Sequence, residues 1–370
     1  MVEYIYKCFG CGKEFNSKLI ESEFHYLCPE CGSSEKNQPL NGVLEIEYDY
    51  NNLKKELSRK QFLNYTPGKF WLFPELWPLN FARENHSEIV TGISDNKLER
   101  LALNSSSYLE YKFEDYPIFI LDETRNPTLS YKDRASIITA IKGVQLGVKE
   151  IAAASTGNAG SSLAGICARL GITSHIFVPA GIPDAKRVQI QSFGANIYKV
   201  DGSYDNAFDL CLEVSKEKKW YNRNTAFNPL TIEGKKSAAF DIFISSKGEI
   251  PDTIFVPVGD GVIISGIYKG FRELLALGWI ERIPRLIGVQ AQGSDALVRY
   301  LETGNFEFIP ADTIADSISA GAPRNLYMAA DAVKVSGGKA ITVPDEEIIS
   351  AQKFIAKNYS FEITCQNRKC

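Results

Sequence analysis

No charge of either sign dominates this chain of 370 residues, in which 41 lysines and arginines stand against 45 aspartates and glutamates for a net charge of −4. Without a basic excess there is no electrostatic footprint for nucleic acid or an anionic membrane, and neither is expected as a partner. No apolar run approaches the roughly 20 residues that a membrane-spanning helix needs. Met1-Val2-Glu3-Tyr4 is not the charged-then-apolar opening of a secretory signal, so the expected location is the cytoplasm. No internal repeat or low-complexity stretch is visible. Histidine occurs three times only: His175 sits in a short apolar run as a core or edge residue, His25 precedes a cysteine pair, and His86 has no evident partner. The 44% apolar content is that of a globular protein, and the length exceeds a usual single core, which predicts two or three domains.

Four of the eight cysteines form two knuckles, Cys8-Phe9-Gly10-Cys11 and Cys28-Pro29-Glu30-Cys31, sixteen residues apart, with Gly10, Gly12 and Gly32 at the turns. In a chain without an export signal this spacing reads as a zinc ribbon before it reads as disulfides. Four thiolates close a tetrahedral shell, so the metal holds the fold and leaves no position for substrate. No Lys/Arg cluster lies between the knuckles, unlike a ribbon built for nucleic acid. Cys167 and Cys211 lie in apolar helical contexts as inert buried thiols. Cys365 and Cys370 have no pairing logic.

Three segments carry the chemistry. In Asn126-Pro127-Thr128-Leu129-Ser130-Tyr131-Lys132-Asp133-Arg134 the Asn-Pro pair sets a turn, Ser130 is placed to cap a helix beginning near Lys132, and two compensating charges follow the lysine. A lysine in a helix's first turn meets the positive dipole end, which lowers its pKa and favours the neutral amine that attacks a carbonyl. Next, residues 151–154 enter Ser155-Thr156-Gly157-Asn158-Ala159-Gly160 and a helical pattern, a strand, glycine-rich turn and helix that offer backbone N–H groups to an anion. Last, the apolar strand 254–258 runs into Gly259-Asp260-Gly261-Val262-Ile263-Ile264-Ser265-Gly266 and a helix, a phosphate cradle. Singly, each has an ordinary reading: a surface helix start, a tight βα connection, a common Gly-x-Gly.

Taken together and in this order, the segments resemble the threonine synthase group within the second fold type of pyridoxal-phosphate enzymes, over roughly residues 60–357. Asn228-Pro229 with Glu233-Gly234-Lys235-Lys236, and Asp316-Ser317-Ile318 with Pro323-Arg324-Asn325, resemble segments more particular to threonine synthases, some of which also carry an amino-terminal ribbon. The resemblance implies an α/β fold like that of the tryptophan synthase β chain, with two parallel-sheet αβα domains behind the ribbon. It assigns Lys132 to an imine with pyridoxal 5′-phosphate, Asn158 to the cofactor's ring oxygen, and Gly259, Asp260, Gly261, Val262 and Ile263 to a cup for its phosphate. The implied reaction converts O-phosphohomoserine and water to threonine and phosphate, with Lys132 as the base for the α-proton. The substrate's phosphate then needs a second anion site, for which Lys186, Asn228, Lys235 and Lys236 are candidates, with Ser155 and Thr156 near the carboxylate. Each of these lysines also reads as a solvated surface charge.

The chain departs from the family pattern in three places. Asp260 and Val262 stand where the cup usually has Asn and a further Gly, which puts a carboxylate beside a phosphate unless it turns away, faces a cation or is protonated. Leu129 and Tyr131 replace a Gly and a Phe before the lysine. After residues 348–357 the family continues with another helix and a hydroxyl that bonds the pyridine nitrogen, whereas here a tail from Asn358 to Cys370 ends the sequence, so that terminal segment is expected to be missing. The altered motifs keep a cysteate synthase acting on O-phosphoserine, or a dehydratase, open as alternatives, and the tail keeps open a catalytically silent homologue.

The expected organisation is a ribbon over 1–42, a large cofactor domain from 43–130 and 226–370, and a small mobile substrate domain over 131–225. Residues 37–42 read as a polar linker, 48–61 as a charged helix, and 151–154, 175–178, 196–200, 254–258 and 286–290 as strands alternating with helices, hence parallel sheets. A homodimer is the general expectation for such an enzyme.

Overall fold

The computed structural model describes residues 3–84, 87–104, 108–113, 116–155, 157–182, 184–202 and 204–359. Thr156, His86 and the tail from residue 360, on which parts of the sequence reading rest, lie outside them.

The amino-terminal unit is an antiparallel sheet of order β2-β1-β3, from β1 (Tyr4–Cys8), β2 (Glu14–Asn16) and β3 (Leu44–Tyr48). Between β2 and the second knuckle lies α1 (Ser17–Ser22), whose cap Asn16 accepts the Lys18 amide. The third strand runs past residue 42, and it takes Tyr48 out of the expected charged helix. That helix is instead two short ones, α2 (Tyr50–Glu56) and α3 (Arg59–Phe62), because Asp49 and Ser58 each cap a new start. The following aromatic stretch forms two 3-10 turns, Phe70–Leu72 and Pro74–Leu76, held by the Trp77 indole donating to Phe70 O at 2.9 Å. Two hairpins follow, β4 (Phe81–Glu84) with β5 (Ser87–Val90) and, past α4 (Asp95–Glu99), β6 (Tyr108–Phe113) with β7 (Tyr116–Leu121).

The rest alternates strands and helices in two parallel sheets. Helix α5 (Lys132–Gln145) leads into β8 (Glu150–Ala154), α6 (Asn158–Leu170), β9 (Thr173–Pro179), α7 (Asp184–Ser192), β10 (Asn196–Val200), α8 (Tyr204–Lys218) and β11 (Tyr221–Asn222), with strand order β10-β9-β8-β11. Then α9 (Leu230–Lys235) and α10 (Ser237–Ser245) precede β12 (Thr253–Pro257), α11 (Val262–Ala276), β13 (Arg285–Ala291), α12 (Ala296–Thr303), α13 (Leu326–Val335), β14 (Lys339–Val343) and α14 (Asp345–Tyr359), with order β12-β13-β14. The expected strands are all present. Residues 151–154 are an unbroken apolar run because helices cover both faces of β8, leaving all four buried. His175 stacks on Trp220 at 3.6 Å and pairs with Glu150 and Tyr198, so it is structural.

Buried charges weld the ribbon to the larger body. Glu233 and Lys236, on and just after α9, meet Lys269 and Glu273 on α11, all four almost wholly inaccessible. Tyr48 on β3 donates to Glu233 at 2.6 Å, and Lys269 donates to Ile46 O at 2.7 Å. A second weld sits at the far end of α5, where Lys142 pairs with Glu21 at 2.9 Å and donates to Tyr4 Oη at 2.6 Å.

Candidate active site

Lys132 is the first residue of α5, as its turn predicts. Ser130 Oγ accepts the Lys132 amide at 3.3 Å, and Leu129 N–H closes the turn on Asn126 O at 2.8 Å. That closure holds Leu129 at a left-handed φ of +65°, the conformation that favours glycine. Asp133 and Arg134 do not compensate Lys132, contrary to expectation. The Asp133 carboxylate turns inward and accepts from Thr128 N at 2.6 Å, from Thr128 Oγ1 and from Ser162 Oγ at 2.7 Å, which locks the turn onto α6. Arg134 is buried between Glu123 and Asp241 at 2.6 and 2.7 Å. Burial is the largest influence on the Lys132 amine and pushes its pKa down; the Asp260 carboxylate opposes this and the Arg223 guanidinium adds to it.

On the opposite wall, β8 is followed by Ser155, whose hydroxyl accepts the Gly157 amide at 3.1 Å, and Asn158 opens α6. Lys186 on α7 donates to Asn158 Oδ1 at 3.0 Å, which orients that amide. Lys186 is thus a support for Asn158.

The cup forms where β12 passes into α11. Gly259 has no room for a side chain, since a Cβ there would lie 2.9 Å from Ile318 Cα. Gly261 has φ +85°, and a Cβ would lie 2.9 Å from Asn325 O. Two of the segments more particular to the family resemblance close the cup from outside: Asp316–Ile318 backs Gly259, and Asn325 donates its backbone amide to Asp260 O at 2.9 Å. Asp260 answers the question its sequence raised by facing cations. Its Oδ1 accepts the Arg324 amide at 3.4 Å, and its charge acts on Lys132, Lys235 and Arg223.

These walls enclose a cleft of about 540 Å³ lined by Lys132, Ser155, Gly157, Asn158, Asp260 and Asp316 among others, and the cup opens beside it with Lys132 and Lys235 on its lining. Of the candidates for a second anion site, two are corrected. Lys236 points away into the buried quartet with Glu233 and Glu273. Asn228 is engaged by its own loop, donating to Asn222 O at 2.7 Å and accepting from Leu230 N at 2.9 Å. Lys235 stays at the site, in the cup. Sequence reasoning missed Arg223, fully buried with its Nη2 unpartnered; the polar run 222–225 was its one signal. It also missed the ribbon's share of the cleft wall, Lys36 and Asn37. Residues 37–42 are no free linker: the buried Arg324 donates to Glu35 O and Gln38 O at 3.3 and 3.0 Å, and Leu40 N–H returns to Arg324 O at 3.1 Å.

In the ribbon the ligand atoms of Cys8, Cys11, Cys28 and Cys31 lie within 4.8 Å of one another, placed to hold one metal ion. Backbone amides of Cys11 and Glu30 donate to Cys8 and Cys28 Sγ at 3.4 Å each, as they do to thiolates.

The family model for pyridoxal-phosphate dependent enzymes matches residues 99–364. Over 355 residues the chain is 34% identical to the threonine synthase of Methanocaldococcus jannaschii, covering 95% of this chain and 82% of that one. It is 33% identical to the threonine synthase of Methanosarcina acetivorans, covering 96% and 82%. The chain belongs to the threonine synthase family of pyridoxal-phosphate dependent enzymes. Among solved structures, a threonine deaminase from T.th. superposes with a TM-score of 0.60 at 20% identity, covering 72% of this chain and 85% of that one. Maize serine racemase does so with a TM-score of 0.56 at 22% identity, covering 64% and 69%. These two likenesses concern the fold, which is the expected second fold type. The residues present fit the family's cofactor: a lysine with a depressed pKa for the aldehyde, a glycine cup at a helix start for the phosphate, and a buried lysine Nζ in that cup with no partner of its own.

Proposed function

We propose that this chain converts O-phosphohomoserine and water to threonine and phosphate. The observation that carries the reading is the meeting of Lys132, the Asn158 turn and the glycine cup on the walls of one cleft, in a chain aligned with threonine synthases over nearly its whole length. When bound, pyridoxal phosphate would supply a conjugated ring that withdraws electrons from the substrate's α-carbon. The chain supplies position and proton transfer. Burial keeps the Lys132 amine neutral and competent as a nucleophile, and its Nζ is the group that would accept the substrate's α-proton. Asn158, oriented by Lys186, is the residue that would hold the ring oxygen. The turn after Ser155 offers backbone N–H groups to the substrate carboxylate. Lys36, on the cleft wall, is a cation suited to the substrate's phosphate.

The same reading makes residues 131–225 the unit that closes over substrate, places zinc on the four cysteines, and includes a homodimer in the cytoplasm. The test is to add pyridoxal phosphate, record the visible spectrum, and follow phosphate and threonine from O-phosphohomoserine, with O-phosphoserine as the competing substrate. A cofactor band with threonine formed supports the reading. A band with turnover of O-phosphoserine alone, giving cysteate and phosphate only when sulfite is added, transfers the assignment to cysteate synthase, and no band overturns the enzyme reading.

A further inference from the structure

We propose that Lys235 is the cationic ligand of the phosphate held in the cup, and that Asp260 is its built-in counter-charge. The proposal rests on the reading that this cup receives the phosphate of pyridoxal phosphate. Lys235 is the last residue of α9 and is wholly inaccessible. Among the described residues its Nζ has no hydrogen-bond partner, yet it lines the cup together with Gly259, Asp260, Gly261 and Val262. The stem is aimed there by packing: Gly266 on α11 has no side chain, and a Cβ at that position would lie 2.6 Å from Lys235 Cβ. Any larger residue at 266 would push the lysine out.

A buried amine without a partner is costly, and more so when charged. Burial is accordingly the largest influence holding Lys235 well below its ordinary pKa; Lys132 and Arg223 add to it as like charges, and Asp260 alone opposes them. Arg223 is a second buried cation with an unpartnered nitrogen. Asp133 and Asp260 both act on Arg223, with Asp133 the larger of the two, but of these carboxylates only Asp260 lines the cup beside Lys132 and Lys235, a local excess of basic groups that a phosphate of about two negative charges suits. The same excess accounts for Asp260. A carboxylate in a phosphate cup repels its ligand unless a cation accompanies it, and Lys235 is that cation.

The test uses pyridoxamine 5′-phosphate and pyridoxamine, which carry no aldehyde and cannot form an imine with Lys132. Affinities for both are measured by quenching of intrinsic fluorescence in the full chain, with melting temperatures alongside. Lys235→Met is expected to weaken the phosphorylated form by about 10–100-fold, the value of one charge-assisted bond, while leaving pyridoxamine unchanged. Asp260→Asn keeps the acceptor for the Arg324 amide and is expected to tighten the phosphorylated form several-fold at low salt. The double variant should recover part of the Lys235→Met loss, and the gain from Asp260→Asn should be larger in the Lys235→Met background than in wild type, because the carboxylate then has no cation beside it; a purely structural lysine would leave that gain unchanged. Lys235→Gln serves if the Met variant does not fold. An unchanged preference for the phosphorylated form in either Lys235 variant, or no recovery in the double variant, overturns the proposal. Failure of the wild-type chain to bind the phosphorylated form at all instead sinks the cofactor reading beneath it.

Discussion

Replacing Lys269 with methionine tests whether the buried quartet behind the cup matters as its geometry implies. Lys269 Nζ donates to Glu273 at 2.5 Å and to Ile46 O at 2.7 Å, and lies 3.4 Å from Glu233. Methionine preserves the stem but leaves two buried carboxylates with Lys236 as the remaining cation of the quartet, beside the Tyr48 and Tyr50 hydroxyls, and strands the Ile46 carbonyl. Removing one partner of a buried ion pair costs about 3–5 kcal/mol, against a typical total of about 5–15 kcal/mol. At about 2–4 °C per kcal/mol, the shift for a domain of 150–250 residues, the melting temperature should fall by about 6–20 °C. The pH dependence adds a sign. Burial raises the Glu273 pKa, but Lys236 and Lys269 outweigh it and the carboxyl titrates below its ordinary value. A depressed carboxylate pKa contributes stability above the ordinary value that is lost as pH falls through the folded one. The gap between wild type and Lys269→Met should therefore narrow on acidification below about pH 4–5. Thermal unfolding by circular dichroism across pH reads both effects, and Lys269→Met/Glu273→Gln should recover much of the loss. A single variant as stable as wild type, or a double variant worse than the sum of its parts, would refute the reasoning.

Other expectations follow from the site. Asp260 favours the charged form of Lys132, so Asp260→Asn should move the acid limb of imine formation with pyridoxal phosphate to lower pH, read as the pH profile of band appearance; a shift the other way would remove Asp260 from the Lys132 environment. Leu129 is 64% exposed at φ +65°, so Leu129→Gly relieves strain with little packing lost and should stabilise the fold by about 1 kcal/mol; a lower melting temperature would contradict it. Metal analysis should find one zinc per chain, lost in Cys11→Ser. Arg324→Ala frees Glu35 O and Gln38 O and should expose residues 33–40 to limited proteolysis, with unchanged cleavage counting against the latch.

How much of this was legible in the sequence depended on how local the signal was. The start of α5 at Lys132, the turn at Asn158 and the cup after β12 were readable because each is a strand or turn running into a helix, announced within about ten residues by Pro, Ser or Gly. The roles of Lys235 and Lys236 were not. Adjacent residues on a helix point about 100° apart, so one lysine must go to a different environment from its neighbour, but which one faces the cup depends on Gly266, on another helix. Arg223 and the ribbon's cleft wall were invisible for the same reason. Arg324 holds Gln38 across 286 residues of chain, and no composition or periodicity reports such a contact.

The topology explains why three motifs so far apart in sequence make one site. In each parallel sheet the strand ends and the following helix begin at the same edge, so the turn after β8 and the turn after β12 both present helix N-termini there. Lys132 reaches them because α5 packs its buried face against α6, through Ser162 and Asp133, and against α9, through Tyr131 donating to Lys235 O at 2.9 Å. That last bond matters for the charge argument. It fixes the backbone of Lys235 to the residue immediately before Lys132, so the two amines that line the cup keep a set relation. If the bond has this role, Tyr131→Phe should leave the stability within about 1 kcal/mol of wild type, yet weaken pyridoxamine 5′-phosphate more than pyridoxamine. Equal weakening of both would mean that the bond supports the turn alone.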